Sequence, residues 1–258
     1  MQTEISTEEA RTRKFRQRPH NRYWWYKLAD TDYVPPVFGY LSDEEWSIID
    51  QWHTESGEQF ENPGEVAVPG ISMLLGLVGG NGVCRIVQCG HYAGYSTLLL
   101  GFMLRRMGKP HSLFSIDIDP SITEYTKSWV ERAGLSDYVH LEVSDSADPS
   151  LPQKAEQYLS GKPQLVFIDS SHQYAHTLRE LDLWYEALPV GGLCMLHDVS
   201  EYARSFDASG EGGVKTALNE WVERNGVQSF SMNGFVTNSS PDDLVYRDGC
   251  GLGLLQKV

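Results

Sequence analysis

Arg85-Ile-Val-Gln-Cys-Gly-His-Tyr-Ala-Gly-Tyr-Ser-Thr-Leu98 begins as a short apolar strand, Val83 to Val87, turns over Gly90 and Gly94, and enters a helical pattern at Ser96. Strand, glycine turn and helix together hold a nucleotide-like ligand over a sheet edge. Glycine lacks a β-carbon, so the backbone can turn tightly and come close to the ligand. The spacing is G-x-x-x-G, not the G-x-G-x-x-G of a dinucleotide site. Taken alone, it also describes a plain strand-to-helix turn. A second stretch, His111-Ser-Leu-Phe-Ser-Ile-Asp-Ile-Asp-Pro120, reads as a strand ending in carboxylates, followed by a proline that opens a helix. An acid at that strand end, Asp117, is placed to accept hydrogen bonds from a ribose diol.

Outward from these two stretches the chain alternates. Helix Ile71 to Val78 precedes strand one. Helix Ser121 to Ala133, strand Val139 to Val143, helix Gln153 to Leu159 and strand Gln164 to Ile168 follow strand two. Helix Ala175 to Glu186, strand Leu193 to Leu196, a polar glycine-rich loop over 199–213 and helix Val214 to Asn225 come next. Two last strand candidates, Gln228 to Ser231 and Gly251 to Val258, have no helix between them and pair antiparallel. The expected fold is α/β: a Rossmann-like three-layer sandwich with a mostly parallel seven-stranded sheet and an antiparallel last strand. Residues 1–60 form an N-terminal helical extension, and 61–258 the main domain. Within the extension, Ser42-Asp-Glu-Glu45 starts a helix carrying Trp46, Ile48, Ile49 and Trp52, and Asn62-Pro-Gly64 ends the preamble. The aromatic run Arg22 to Leu28 packs on the main domain, forms a subunit contact, or lines an apolar pocket.

The 258 residues are 41% apolar, enough for a sizeable core, and carry a formal charge of −14. That charge argues against nucleic acid as partner, because phosphate neutralisation needs a basic surface. The dense basic run, Arg11 to Arg18, reads as a solvated terminal arm. No apolar run is long enough for a membrane span, and the N-terminus lacks a secretory core, so a cytoplasmic protein is expected. Cysteines 84, 89, 194 and 250 form no C-x-x-C pair and read as buried free thiols.

Ligands of such sheets lie beyond the carboxyl ends of the strands. There the chain places the Gly90/Gly94 turn, Asp117 and Asp119, Ser144-Asp-Ser146, Asp169-Ser-Ser-His-Gln-Tyr174 and His197-Asp198. Asp169 and Asp198 end adjacent strands, and two converging carboxylates call for a positive guest. Mg²⁺ suits oxygen ligands, while a nitrogen from His197 or His172 moves the preference toward Mn, Fe or Zn. The alternative guest is a set of backbone N–H groups or loop arginines. His172, with an ordinary pKa near 6.5, suits a general base at neutral pH. It could equally cap the next helix, bind Asp198 or ligate the ion.

At these residues the chain resembles the class I S-adenosylmethionine-dependent methyltransferases, over about residues 66–258. The nearest likeness is to small-molecule O-methyltransferases whose fourth strand ends in an Asp-x-x-His-x-Tyr segment, here Asp169 to Tyr174. The resemblance implies S-adenosylmethionine held by Gln88, Gly90, Gly94, Ser96, Asp117, Asp145, Ser146 and Asp169. Gln88 stands where the family has an acid. Catechol and macrolide-sugar O-methyltransferases use Mg²⁺, and the resemblance carries their ligands to Asp169 and Asp198 and their base to His172. Their third oxygen ligand has no counterpart, since His197 and Val199 flank Asp198. The expectation is a methyltransferase acting on a hydroxyl of a small natural-product or sugar-like acceptor. A divalent cation (Mg or Mn) would be held by Asp169, His197 and Asp198, and the aromatic N-terminal segment is available for homo-oligomer contact. The rival readings are an NAD(P)-dependent oxidoreductase and a non-catalytic relative that keeps the fold.

Overall fold

The computed structural model describes residues 34–238, 240 and 243–258. The basic run 11–18 and the aromatic run 22–28 lie outside the described residues. The chain divides into two compact units, Met1–Asn62 and Pro63–Val258.

The first unit contains α1 (Pro36–Gly39) and α2 (Asp43–Gln59). A capping box starts α2: the Glu45 amide donates to Ser42 Oγ at 3.2 Å, and the Ser42 amide donates to Glu45 Oε2 at 2.9 Å. Two of the orphan N–H groups of the first turn are thereby satisfied. Trp46, Ile49 and Trp52 share the buried face of α2, and Phe38 of α1 meets Trp46 edge-on at 5.9 Å.

The second unit is built on one seven-stranded sheet of order β3-β2-β1-β4-β5-β7-β6. Its strands are β1 (Ile86–Cys89), β2 (Leu113–Asp117), β3 (Val139–Val143), β4 (Leu165–Ile168), β5 (Leu193–His197), β6 (Ser229–Met232) and β7 (Leu252–Gln256). The first five are parallel; β7 runs antiparallel to both β5 and β6. The central strands β1 and β4 are buried along their whole length, as a sheet covered on both faces requires; β4 is a continuous apolar run, and β1 is apolar but for Gln88. Strand β1 starts three residues later than periodicity predicts and extends through Gln88 and Cys89. The glycine turn therefore follows directly on the strand.

Helices α3 (Val68–Asn81), α4 (Tyr95–Arg106), α5 (Pro120–Arg132), α6 (Leu151–Leu159), α7 (Tyr174–Ala187) and α8 (Gly213–Asn225) alternate with the strands. Val87, Cys89, Phe114, Ile116, Val166, Ile168, Cys194 and Leu196 share one face of the sheet. Leu151 and Leu159 of α6, Trp184 of α7 and Trp221 of α8 pack on it. Of the other parity, Gln88 meets Thr97 of α4, and Ser115 meets His91, which bridges to Thr123 of α5. All four cysteines are free. Among the described residues, no helix is long and apolar enough to cross a membrane.

Candidate active site

The glycine turn forms because β1 and β4 end side by side. The Gly90 amide donates to the Ile116 carbonyl at 2.8 Å, and the Asp169 amide donates to the Cys89 carbonyl at 2.8 Å, so the turn is clamped from both neighbouring strands. Gly90 sits at φ +87°, and a Cβ there would lie 2.0 Å from the Asp169 carbonyl oxygen. Gly94, at φ +94°, faces the Thr126 side chain, which a Cβ would meet at 2.8 Å. Thr126 in turn donates its hydroxyl to the Tyr92 carbonyl.

Gln88 organises the turn from beneath. Its Nε2 donates to Ser96 Oγ at 2.7 Å and to the Gly90 carbonyl at 3.1 Å; its Oε1 accepts from Thr97 at 2.9 Å and from Ser115 at 3.1 Å. A neutral amide supplies both donors and acceptors to this dry spot, which a carboxylate could not do. Gln88 and Ser96 are thus buried supports of the turn. His91 lies buried against Ser115 and Thr123, and burial lowers its pKa to about 4 although Asp117 pulls the other way. It is a neutral structural histidine.

Asp117 stands at the rim. Its Oδ2 accepts the Tyr92 amide at 2.9 Å and its Oδ1 the Asp119 amide at 3.1 Å. Each oxygen keeps a second lone pair. Asp119 does not join it: it caps α5, its Oδ1 accepting from the Ser121 and Ile122 amides. Beyond β3, Asp145 accepts from the Ala147 amide at 2.9 Å and pairs with His176 at 2.8 Å. The Ser146 hydroxyl is turned inward onto the buried carboxylate of Glu180 at 2.5 Å. Ser170 donates to the same carboxylate at 2.8 Å.

The ends of β4 and β5 bring the acids and histidines together. His172 Nε2 lies 3.0 Å from Asp198 Oδ2 and 3.9 Å from Asp169 Oδ1. His197 Nδ1 lies 3.4 Å from each of the same two carboxylate oxygens. His172 and Asp198 both adopt left-handed backbone, at φ +59° and +63°. Non-glycine residues held so cost on the order of 1 kcal/mol each and cluster at functional sites. Burial alone would raise the carboxyl pKa values and lower those of the imidazoles. The mutual charges win, holding Asp169 and Asp198 below the usual carboxylate range and raising His197 and His172, the latter to about 10.

The sign of that shift sets an expected pH dependence for ion-free protein. Below pH 6.5 the His172 imidazole is protonated in both folded and unfolded chains, and its ion pairs contribute fully. As pH rises through about 10, the folded imidazole loses its proton and the contribution is lost. The stability difference between wild type and His172→Gln, measured by urea unfolding in chelator, should be largest near the low end of that window and close toward the high end. A constant difference across the window would contradict the assignment.

The same cluster has the donor chemistry of a cation site. Ligand bonds of about 2.1 Å place neighbouring donors about 3.0 Å apart in an octahedral shell and about 3.4 Å apart in a tetrahedral one. The separations of 3.0 and 3.4 Å observed here match that scale. Two groups of donors that all lie within 4.8 Å of one another are Asp169, His172 and Asp198, and His197, Asp198 and Cys250. Composition and spacing mark Cys250 only as a free thiol and do not single out Asp248. The buried Asp248 carboxylate meets His197 Nε2 at 3.2 Å. No periodic pattern marks either residue, because both lie in the irregular link between β6 and β7.

The loop after β5 covers this cluster. Gln173 Nε2 donates to the Phe206 carbonyl at 3.3 Å, and Gln173 Oε1 accepts the Ala208 amide at 3.1 Å, tying the loop to the β4 end. A short 3₁₀ turn, Ala203–Phe206, places the Phe206 ring 5.8 Å from His172, with Tyr202 edge-on to Phe206 at 5.4 Å. Tyr174 turns away and donates to Glu220 at 2.5 Å.

Residues 87–199 match the model of a family described as a methyltransferase domain. No curated protein matches the chain. Among solved structures, the chain is similar to cofactor-bound Rv0187 from MTB, at 19% identity over 82% of this chain and 89% of that one, with a TM-score of 0.64. It is similar to an O-methyltransferase from Bacillus cereus in complex with SAH, at 16% identity, 87% and 96% coverage and a TM-score of 0.61. It is also similar to the SAM-bound O-methyltransferase TomG from Streptomyces achromogenes, at 19% identity, 90% and 100% coverage and a TM-score of 0.60. At these identities the likeness establishes the fold, a Rossmann-like methyltransferase fold.

Proposed function

We propose that this chain, carrying a methyltransferase domain across residues 87–199, transfers a methyl group from S-adenosylmethionine to a hydroxyl of a small natural-product or sugar-like acceptor, with a divalent cation assisting. One observation carries the reading: the backbone of Gly90 lies directly against the carbonyl of Asp169. The ligand cradle and the acid–histidine cluster therefore share one sheet edge. A methyl donor held over the turn would face the residues able to prepare an acceptor. The TomG neighbour, described as involved in Tomaymycin synthesis, supports a natural-product acceptor. The net charge of −14 speaks against a nucleic-acid substrate.

The chain's residues need not protonate a leaving group, because a sulfonium departs as a neutral thioether. Their task is to align the acceptor and take its proton. Phe206 and Tyr202 bound the space beside His172 and give an apolar wall for the acceptor. His172 Nε2, which lies 3.0 Å from Asp198, is the proposed acceptor of the hydroxyl proton. A divalent ion held by Asp169, Asp198 and His197 would lower the pKa of an acceptor hydroxyl and relieve the negative charge that keeps His172 protonated. Asp198 accepts the Nε2 proton of His172 and so orients the imidazole once it carries that proton.

Calorimetry with S-adenosylmethionine and with NAD tests the cofactor. Only S-adenosylmethionine should bind; binding of NAD alone would favour an oxidoreductase. Asp117→Ala should weaken S-adenosylmethionine binding by about 1.5–3 kcal/mol, through loss of a charged acceptor. Unchanged affinity would remove Asp117 from the site. Methyl-labelled cofactor offered to a panel of small phenols, glycosides and amines tests the acceptor. Transfer only to RNA, DNA or protein would refute a small-molecule hydroxyl.

A further inference from the structure

We infer that Asp248, brought in on the link between β6 and β7, is a positioning residue that presents His197 as a nitrogen ligand, so that the centre selects a first-row transition ion over Mg²⁺. The inference rests on the cation-assisted reading above and concerns which ion is held and by what means.

The two ring nitrogens of His197 face different carboxylates. Nε2 lies 3.2 Å from Asp248 Oδ2, whereas Nδ1 lies 3.4 Å from both Asp169 Oδ1 and Asp198 Oδ2. With a cation between Nδ1 and the carboxylates of Asp169 and Asp198, the Asp248 carboxylate is the acceptor left for the ring proton at Nε2, and it holds the tautomer that turns the Nδ1 lone pair to the ion. A lone pair aimed at two carboxylate oxygens is repulsive unless a proton or a cation lies between them. Carboxylates that fix the far nitrogen of a ligating histidine in this way set its tautomer and raise its basicity.

The link is built to hold Asp248 in place. Its second oxygen, Oδ1, accepts the Cys250 amide at 3.1 Å, and its carbonyl accepts Asn233 Nδ2 at 2.7 Å. The Cys250 carbonyl accepts the Ser200 amide at 2.9 Å, which ties the link to the end of β5. Gly251, at φ +79°, leaves no room for a Cβ, which would meet the Met232 carbonyl at 2.9 Å. Gly70 of α3 closes the far side, where a Cβ would lie 2.8 Å from Asp248 Oδ2. The same link carries the Cys250 thiol to within 4.8 Å of ligand atoms of His197 and Asp198. Imidazole and thiol donors suit Fe, Co or Zn, whereas Mg²⁺ prefers oxygen throughout.

The test uses the full-length, metal-stripped chain, titrated calorimetrically with Co²⁺ and with Mg²⁺, each with and without S-adenosylhomocysteine. Because many sites prefer Co²⁺ to some degree, the ratio of the two affinities is the readout. His197→Asp, which makes the set all-oxygen, should lower the Co²⁺-to-Mg²⁺ ratio by at least about tenfold. Asp248→Asn should weaken Co²⁺ about 10- to 100-fold. In the wild-type protein loaded with diamagnetic Zn²⁺, long-range ¹H–¹⁵N correlation should show the His197 proton on Nε2. This reading needs no variant to fold. An unchanged ratio in His197→Asp, unchanged Co²⁺ affinity in Asp248→Asn, or a Zn²⁺-loaded His197 carrying its proton on Nδ1 would each overturn the inference. Wild type binding neither ion would overturn both it and the cation-assisted reading. Failure of S-adenosylhomocysteine to bind while the ion preference holds would count against the cofactor assignment alone.

Discussion

Gly90→Ala is expected to destabilise the protein by more than about 4 kcal/mol and to abolish S-adenosylmethionine binding. Two independent costs add at this position. The backbone sits at φ +87°, where an L side chain costs about 1–2 kcal/mol. The new methyl would also lie 2.0 Å from the Asp169 carbonyl oxygen and 2.8 Å from Ser170 Cα. Both are backbone atoms, so no rotamer change relieves the overlap. The end of β4 would have to move away from β1, carrying Asp169 out of the cluster. Gly82 provides the control: it too has positive φ, at +66°, but a Cβ there meets nothing within 4 Å. Gly82→Ala should cost only the backbone strain. Urea unfolding of both variants, with calorimetry on whatever folds, measures the difference. Equal destabilisation of the two would mean that the tight edge between β1 and β4 does not exist.

The sheet was legible in the sequence because its strands are short apolar runs separated by amphipathic helices, a pattern that burial on both faces imposes. Strand ends were less legible. Ile86 to Cys89 pairs with both β2 and β4, and the polar Gln88 inside it belongs to the strand because its amide is satisfied by Ser96, Thr97, Ser115 and the Gly90 carbonyl. Tertiary hydrogen bonding overrides the apolar pattern there. The antiparallel β7 was readable from the missing crossover helix, although its insertion between β5 and β6 depends on pairing that no local pattern encodes.

In the candidate site, Asp169, His172, His197 and Asp198 could be found because each ends a strand or follows one by a fixed offset. Asp119 has the same sequence signature as Asp117, yet a helix N-terminus competes for its carboxylate and wins. Asp248 and Cys250 were invisible for the opposite reason. They reach the cluster across an irregular link, held by Asn233, Ser200 and the left-handed Gly251, and long-range contacts of that kind leave no periodicity behind.

His172→Ala is expected to lower kcat about 10²–10⁴-fold, and Asp198→Ala at least as much. Asp198 is the more consequential group because its Oδ2 serves both imidazoles, at 3.0 Å from His172 and 3.4 Å from His197. Removing His172 deletes the proton acceptor. Removing Asp198 leaves His172 beside the more distant Asp169, at 3.9 Å, and also withdraws one of the donors that would hold a cation. Groups that act as one unit lose activity together, so the double variant should be little worse than Asp198→Ala alone. If the cation assists, chelator should abolish turnover of the wild type, and adding back a divalent ion should restore it. Asp169→Ala should then be nearly as inactive as Asp198→Ala. If the residues act without it, chelator should leave the rate unchanged, and the rate should climb with pH toward about 10, where His172, held protonated by Asp169 and Asp198, loses its proton. Initial rates with methyl-labelled cofactor across pH 6–9, in chelator and with added Mg²⁺ or Mn²⁺, separate the two cases. Full activity of His172→Ala across that range would exclude the base role in both, and the proton would then have to leave by another path.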